Sequence, residues 1–110
     1  MADSVVLTRE AKEDILRNSS WWAEHHSLKQ ALEWEASVRD QLLRLALNPQ
    51  SHSPSAENGI YPTEIRDGLV GARKRKTYRA VFTIKNNVVV VLRVFRSSEQ
   101  RLRATDLPTT

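Results

Sequence analysis

Cysteine is absent from the 110 residues. The fold therefore rests on neither disulfides nor thiolate zinc sites, and covalent chemistry through a thiol is excluded. Long apolar runs are missing as well. The longest, Val88 to Leu92, is strand-sized, whereas a bilayer span needs roughly 18 residues. The opening Met-Ala-Asp-Ser has neither the basic region nor the apolar stretch of a secretory signal, so the expected compartment is the cytoplasm. No Gly-rich phosphate loop, nucleophile elbow or catalytic carboxylate pair is present, which argues against an ordinary metabolic enzyme. His25, His26 and His52 lack the spacing of a metal site. Helix-end and loop roles are expected for them, with no metal and no other cofactor.

What is present fits one domain. Its expected extent is residues 1–102, with residues 103–110 a frayed tail of low apolar content. Hydrophobic residues make up 40% and charged residues 27%, ordinary for a globular protein. The formal net charge is +4, and it is unevenly spread. Residues 1–70 carry a net −4 and residues 71–110 a net +8. Such asymmetry suits a polyanionic partner, either nucleic acid or an acidic protein. The plain alternative is a soluble, mildly basic protein.

Ser4 to Leu7 reads as a short first strand. Thr8 is a candidate N-cap for a helix with Ala11, Ile15 and Trp22 near helical spacing, weakened at Asn18-Ser19-Ser20 and closed by His25-His26. Ser27-Leu28-Lys29-Gln30 has the form of a capping box for a second helix. Its expected buried stripe is Ala31, Leu32, Val38, Leu42, Leu45 and Ala46, and Asn48-Pro49 ends it. So short a connection forces an antiparallel helical hairpin. Gln50 to Gly59 is expected to be a polar surface loop, Ile60 to Arg66 an edge strand that tolerates Pro62, and Asp67 to Thr77 a loop. Tyr78 to Ile84 and Val88 to Phe95 are the clearest strands. The fold class is α+β.

The turn between those two strands decides what the sheet presents. A two-residue loop at Asn86-Asn87 pairs Ala80 with Arg93 and puts a charge on the face of Tyr78, Phe82 and Ile84. A three-residue loop, Lys85 to Asn87, pairs Ile84 with Val88 and makes one face wholly apolar: Tyr78, Ala80, Phe82, Ile84, Val88, Val90, Leu92 and Val94. A one-residue slip flips every side chain, so the segregation favours the second register. It sets Arg79 directly across from Arg93, a destabilising pair that suggests a function.

Arg79, Arg93 and Arg96 are therefore expected to converge on the sheet face that the helices leave free. Guanidinium groups bind phosphates bidentately and stabilise charge on a scissile phosphate. The bland reading has each arginine stem lying over Val81 or Val91. The cluster Arg73, Lys74, Arg75 and Lys76 tracks a phosphate backbone or docks an acidic partner, or is a solvated loop. Trp21 and Trp22 cannot both face inward on one helix. One of them with Trp34, and Phe95 on the arginine face, are candidates for a partner surface; alternatively all three tryptophans fill a small core.

A short strand, a helical hairpin and an antiparallel sheet with arginines on its free face resemble the RelE/ParE toxin superfamily. Ala11 to Leu16 is similar to the opening of that family's first helix, and Leu45 to Pro49 to the end of its second. Glu57-Asn58-Gly59 with Glu64-Ile65-Arg66 resembles the segment entering the sheet. Tyr78-Arg79-Ala80-Val81-Phe82-Thr83-Ile84 and Val90-Val91-Leu92-Arg93-Val94 resemble its "Tyr-Arg-apolar" and "Val-Leu-x-Val" strands. The resemblance spans residues 4 to 102, with the ParE-like plasmid stabilisation group nearest.

It implies a helical hairpin on a small twisted antiparallel sheet, and the toxin of a type II toxin–antitoxin system, neutralised by a cognate antitoxin that wraps the helices and basic sheet. RelE-like members cleave messenger RNA on the ribosome, often with a C-terminal His or Tyr; ParE-like members inhibit DNA gyrase and are not nucleases. Arg79 matches the family's arginine after the tyrosine. Arg96 stands where many relatives carry histidine, and no tyrosine follows in the tail. Loss of both proton-transfer groups leans the expectation toward gyrase. A ribonuclease acting through Arg79, Arg93 and Arg96 is the alternative, and a diverged member that only binds an antitoxin or operator is a third. A toxin dimer or a higher toxin–antitoxin assembly fits each of these.

Overall fold

The structure, a computed structural model, describes residues 1–72, 75–97 and 101–108, Arg75 by its backbone alone. Strand β1 (Ser4–Leu7) leads into helix α1 (Arg9–His25) and then helix α2 (Leu28–Arg44). Strands β2 (Arg66–Ala72), β3 (Arg75–Lys85) and β4 (Val88–Arg96) follow, with single 3-10 turns at Pro49–Ser51 and Ala104–Asp106. The sheet order is β1-β4-β3-β2, with β1 parallel to β4 and the other pairs antiparallel. No helix of the described residues is long and apolar enough to cross a membrane.

The local signals place the helices. Thr8 caps α1 by accepting from the Ala11 N–H at 3.1 Å, and Ser27 caps α2 by accepting from the Gln30 N–H at 3.1 Å. Two residues, His26 and Ser27, separate the helices, so they lie side by side. Asn18-Ser19-Ser20 stays inside α1, with the Asn18 amide donating to the Asp14 carbonyl. The buried stripe of α2 is Ala31, Trp34, Val38 and Leu42, continued by Leu45. Leu32, expected in that stripe, is 60% exposed; it follows Ala31 by one residue, about 100° around the helix.

The sheet corrects three expectations. Ile60 to Arg66 is not a strand; the edge strand begins at Arg66 and runs through the segment expected to be a loop. β3 begins at Arg75, so Arg75 and Lys76 are strand residues rather than loop residues. The β3–β4 turn is the two-residue one. Asn86 and Asn87 both adopt left-handed φ, 49° and 61°, as a type I′ turn requires, and Lys85 pairs with Val88.

The conflict over Arg93 is resolved by a β-bulge. Phe82 pairs with Val91 and Val81 with Arg93, so Leu92 is an extra residue on β4. Its carbonyl is taken by the Thr8 hydroxyl at 2.9 Å. The helix-facing sheet residues are thus Tyr78, Ala80, Phe82, Val89, Val91 and Val94, packed on Ile15, Trp34, Val38 and Leu42. Val90 and Leu92 belong to the other face, and Arg79 lies opposite Phe95, not Arg93.

That other face is covered. Tyr61 and Ile65 from the α2–β2 connection and Leu102 and Leu107 from the C-terminal segment bury Val81 and Leu92 in a second apolar cluster. The connection expected to be a polar surface loop puts Ser55 and Glu57 inside, at 5% and 6% exposure. Leu107, in the segment expected to fray, packs into the second core. The protein has three layers: helices, sheet, and a layer of irregular chain.

Candidate functional site

The three arginines expected to converge on a free sheet face occupy three separate environments. Arg79 projects from β3 under the covering layer. Its Nη1 and Nη2 donate to Glu57 Oε1 and Oε2 at 3.1 and 2.7 Å, and Nη1 also donates to Asp67 Oδ2 at 3.0 Å. This is a two-pronged guanidinium–carboxylate pair, and it is buried: the side chains of Arg79 and Glu57 are 14% and 5% exposed. Glu57 further accepts from the Leu102 N–H at 2.8 Å and the Ser55 hydroxyl. The Arg79 hydrogen bonds, opposed by burial and reinforced by the Leu102 N–H, hold the Glu57 carboxyl down at about 2. The Glu57 hydrogen bonds, against burial and with the Asp67 carboxylate, raise Arg79 above its ordinary value.

Arg93 closes the other side of the sheet. β1 pairs with β4 only as far as Val91, and beyond that point Asp14 of α1 takes over the strand edge. The Asp14 carboxylate is 1% exposed. It accepts from Arg93 Nε at 2.7 Å and Nη2 at 2.8 Å, from Arg17 Nη2 at 2.7 Å, and from the Val94 N–H at 2.9 Å. Arg93 Nη1 also donates to the Asp106 carbonyl at 2.7 Å, and its guanidinium lies 4.3 Å from the centre of the Phe95 ring. The Asp14 partnership raises Arg93 above its ordinary value, against desolvation.

Arg96 lies at the far end of α1. Its guanidinium sits 4.2 Å from the centre of the Trp21 ring, and Nε donates to the Tyr78 hydroxyl at 3.4 Å. Trp21 stacks on His25 with centroids 4.4 Å apart, and Trp22 packs against His26. The Trp22 indole also donates to the Tyr78 hydroxyl, at 3.3 Å. Trp21, Trp22 and Phe95 are half-buried surface residues. Trp34 is 1% exposed against Tyr78 in the core, so it leaves the set of surface candidates. Arg73 and Lys74 lie outside the described residues, as does the side chain of Arg75; Lys76 is exposed on β3.

The geometry changes the chemistry available. Arg79 and Arg93 each hold a buried carboxylate and have little free surface to offer a phosphate. One cleft among the described residues, lined by Glu64, Arg66, Thr83 and Ile84, holds about 80 Å³, well below the several hundred of a small-molecule site. Among the described residues no three His, Asp or Glu side chains are placed to hold a metal ion. Sequence reasoning missed the acidic partners. Asp14 was detectable, since it shares the inward arc of α1 with Ala11, Ile15 and Asn18. Glu57 lies in irregular chain, where no periodicity marks burial.

The sequence matches the family described as the ParE toxin of type II toxin–antitoxin system, parDE, over residues 5–101. Among solved structures, one titled the chromosomal ParDE TA system from P. aeruginosa superposes with a TM-score of 0.70. The match covers 84% of this chain and 94% of that chain at 19% identity, a likeness of fold. No curated protein matches by sequence.

Proposed function

The chain belongs to the ParE toxin family of type II toxin–antitoxin systems, and from that premise we propose that it arrests growth by inhibiting DNA gyrase through protein–protein contact, with a cognate antitoxin as its neutralising partner in the cytoplasm. The observation that carries the gyrase reading over a nuclease is the pairing of Arg79 with Glu57 and of Arg93 with Asp14. Ribonucleolytic cleavage needs cations facing the scissile phosphate and a proton-transfer group beside them. Here the two guanidiniums face inward carboxylates. The two tyrosines are buried, Tyr78 at 1% and Tyr61 at 9% exposure, and the Tyr78 hydroxyl accepts from Trp22 and Arg96 on the helix side of the sheet.

One surface open to recognition is the half-buried cluster at the end of α1, Trp21 and Trp22 with Arg96, together with Phe95 on β4. Amphipathic aromatics beside a guanidinium are the residue types that carry protein–protein binding energy. We assign antitoxin contact to Trp21, Trp22 and Phe95, and target contact to Arg96 and the basic run Arg73 to Lys76. In a supercoiling assay, purified protein at micromolar concentration is expected to stop gyrase, and pre-incubation with the antitoxin to restore it. Unchanged supercoiling, together with new codon-phased 5′ ends on messenger RNA in a translating extract, overturns this reading in favour of the nuclease.

A further inference from the structure

Side chains that are held in place before a partner arrives lose little freedom on binding, and so bind it more tightly. The surface at the end of α1 is held in this way. The Trp21 ring carries His25 at 4.4 Å, nearly parallel at 15°, and the Arg96 guanidinium at 4.2 Å. Two groups cannot both lie at that distance over one face. His25 and Arg96 therefore take opposite faces, and Trp21 offers a partner its rim. Trp22 meets Trp21 edge-on, at 5.5 Å and 86°, and lies 4.6 Å from His26. Ring contacts of this kind tolerate sliding, whereas a hydrogen bond fixes direction as well as distance.

Tyr78 supplies the fixed point. It stands directly across from Arg96 in the β3–β4 ladder. Its ring lies in the core, 5.0 Å from Trp34, and the residue is 1% exposed. Its phenol oxygen accepts from Trp22 Nε1 at 3.3 Å and from Arg96 Nε at 3.4 Å. Nε is the guanidinium nitrogen nearest the stem, so this bond sets the angle of the plane that covers Trp21. One buried atom thus orients a side chain from α1 and another from β4, and through Arg96 it orients Trp21. Phenylalanine would fill the same core space without the cost of taking a hydroxyl out of water, so packing alone gives no reason for the oxygen.

We propose that Tyr78 is a positioning residue for partner recognition. It touches no partner itself; its hydroxyl holds Trp22 and Arg96 in the arrangement that a partner binds. The assignment rests on the cluster being a recognition surface, and it is independent of whether the target is gyrase.

Tyr78→Phe removes the oxygen and keeps the ring against Trp34. In the free protein, hydrogen exchange at the Trp22 indole N–H, followed by NMR, is expected to quicken about tenfold. On regulated expression in a bacterial host, the protein level needed to arrest growth, read by immunoblot, is expected to rise about tenfold, because two side chains must then be ordered on binding. Tyr61→Phe is the matched control. It removes the other buried tyrosine hydroxyl, which has no partner among the described residues, and is expected to leave arrest unchanged. Unchanged Trp22 exchange in Tyr78→Phe overturns the proposal, as does a loss of arrest that merely tracks lowered stability in urea. Arg96→Ala separates the two layers of the reasoning. If it behaves as wild type does in the growth assay, the recognition reading of the cluster falls, and this inference with it. If it relieves arrest while Tyr78→Phe does not, the inference alone falls.

Discussion

Replacing Glu57 with Gln tests the central clasp most directly. The substitution keeps the volume and removes the charge. Arg79 is left buried with Asp67 alone, and an amide NH₂ is turned toward donors that had faced an oxygen. In the folded chain the Glu57 carboxyl is held at about 2 against an ordinary 4.5, which corresponds to about 3 kcal/mol of stability at neutral pH. Breaking one partner of a buried ion pair costs roughly 3–5 kcal/mol by independent reasoning. For a domain of this size that is a fall in Tm of roughly 13–22 °C, read by near-UV circular dichroism of the tryptophans. The sign with pH is fixed. The unfolded chain protonates Glu57 first, so the contribution is complete above about pH 4.5 and drains away as pH falls toward about 2. The wild-type and Glu57→Gln stability curves should therefore converge across that window. A Glu57→Gln protein within about 1 kcal/mol of wild type at pH 7, or curves that stay parallel down to acid pH, refutes the account of Arg79 as a structural residue.

Three further outcomes follow from the packing. Asp14→Ala strands Arg93 and frees the Val94 N–H, so it should cost roughly 3–5 kcal/mol and speed hydrogen exchange at Val94 more than at Val89; unaltered Val94 protection contradicts the clasp. Leu107 is 6% exposed in the second cluster, so Leu107→Ala should cost about 2 kcal/mol in urea denaturation, whereas a frayed tail would show no change. Trp34→Ala should lose roughly 3–5 kcal/mol. Trp34→Phe should lose clearly less, because the indole Nε1 is buried with no partner among the described residues; equal losses would show that the indole N–H is satisfied.

The protein builds two cores on one sheet, and the bulge at Leu92 is what permits it. Without the extra residue, the two-residue turn would keep Arg93 on the helix face among Tyr78, Ala80 and Phe82. With it, Val89, Val91 and Val94 all face the helices while Leu92 and Arg93 turn to the other side. The two arginines of that side then hold the outer layer down. Glu57 joins Arg79 to the Leu102 N–H, and Arg93 joins Asp14 to the Asp106 carbonyl. Each clasp ties the C-terminal segment to a distant element, which is why residues with little apolar content of their own lie in place.

By itself the sequence determined the parts governed by short-range rules. Thr8 and Ser27 cap helices because their hydroxyls satisfy amide groups three residues on. Ser4 to Leu7 and the two β-branched runs around Asn86-Asn87 are strands because alternation over a few residues needs no distant information. The order of these motifs was enough to point to the toxin family. Tertiary structure alone decided the rest. β2 passes close beneath Leu45 at Gly68, where an added Cβ would lie 3.1 Å from Leu45 Cδ2; no local pattern announces that contact. The register of β4 depends on a bulge whose carbonyl is claimed by Thr8, 84 residues away in sequence. Two of the arginines that looked like a free basic surface, Arg79 and Arg93, are neutralised by Glu57 and Asp14, brought to them only by folding. Charge counted along the chain says how much is present, whereas whether it faces water or a buried carboxylate is set by contacts between residues far apart in sequence.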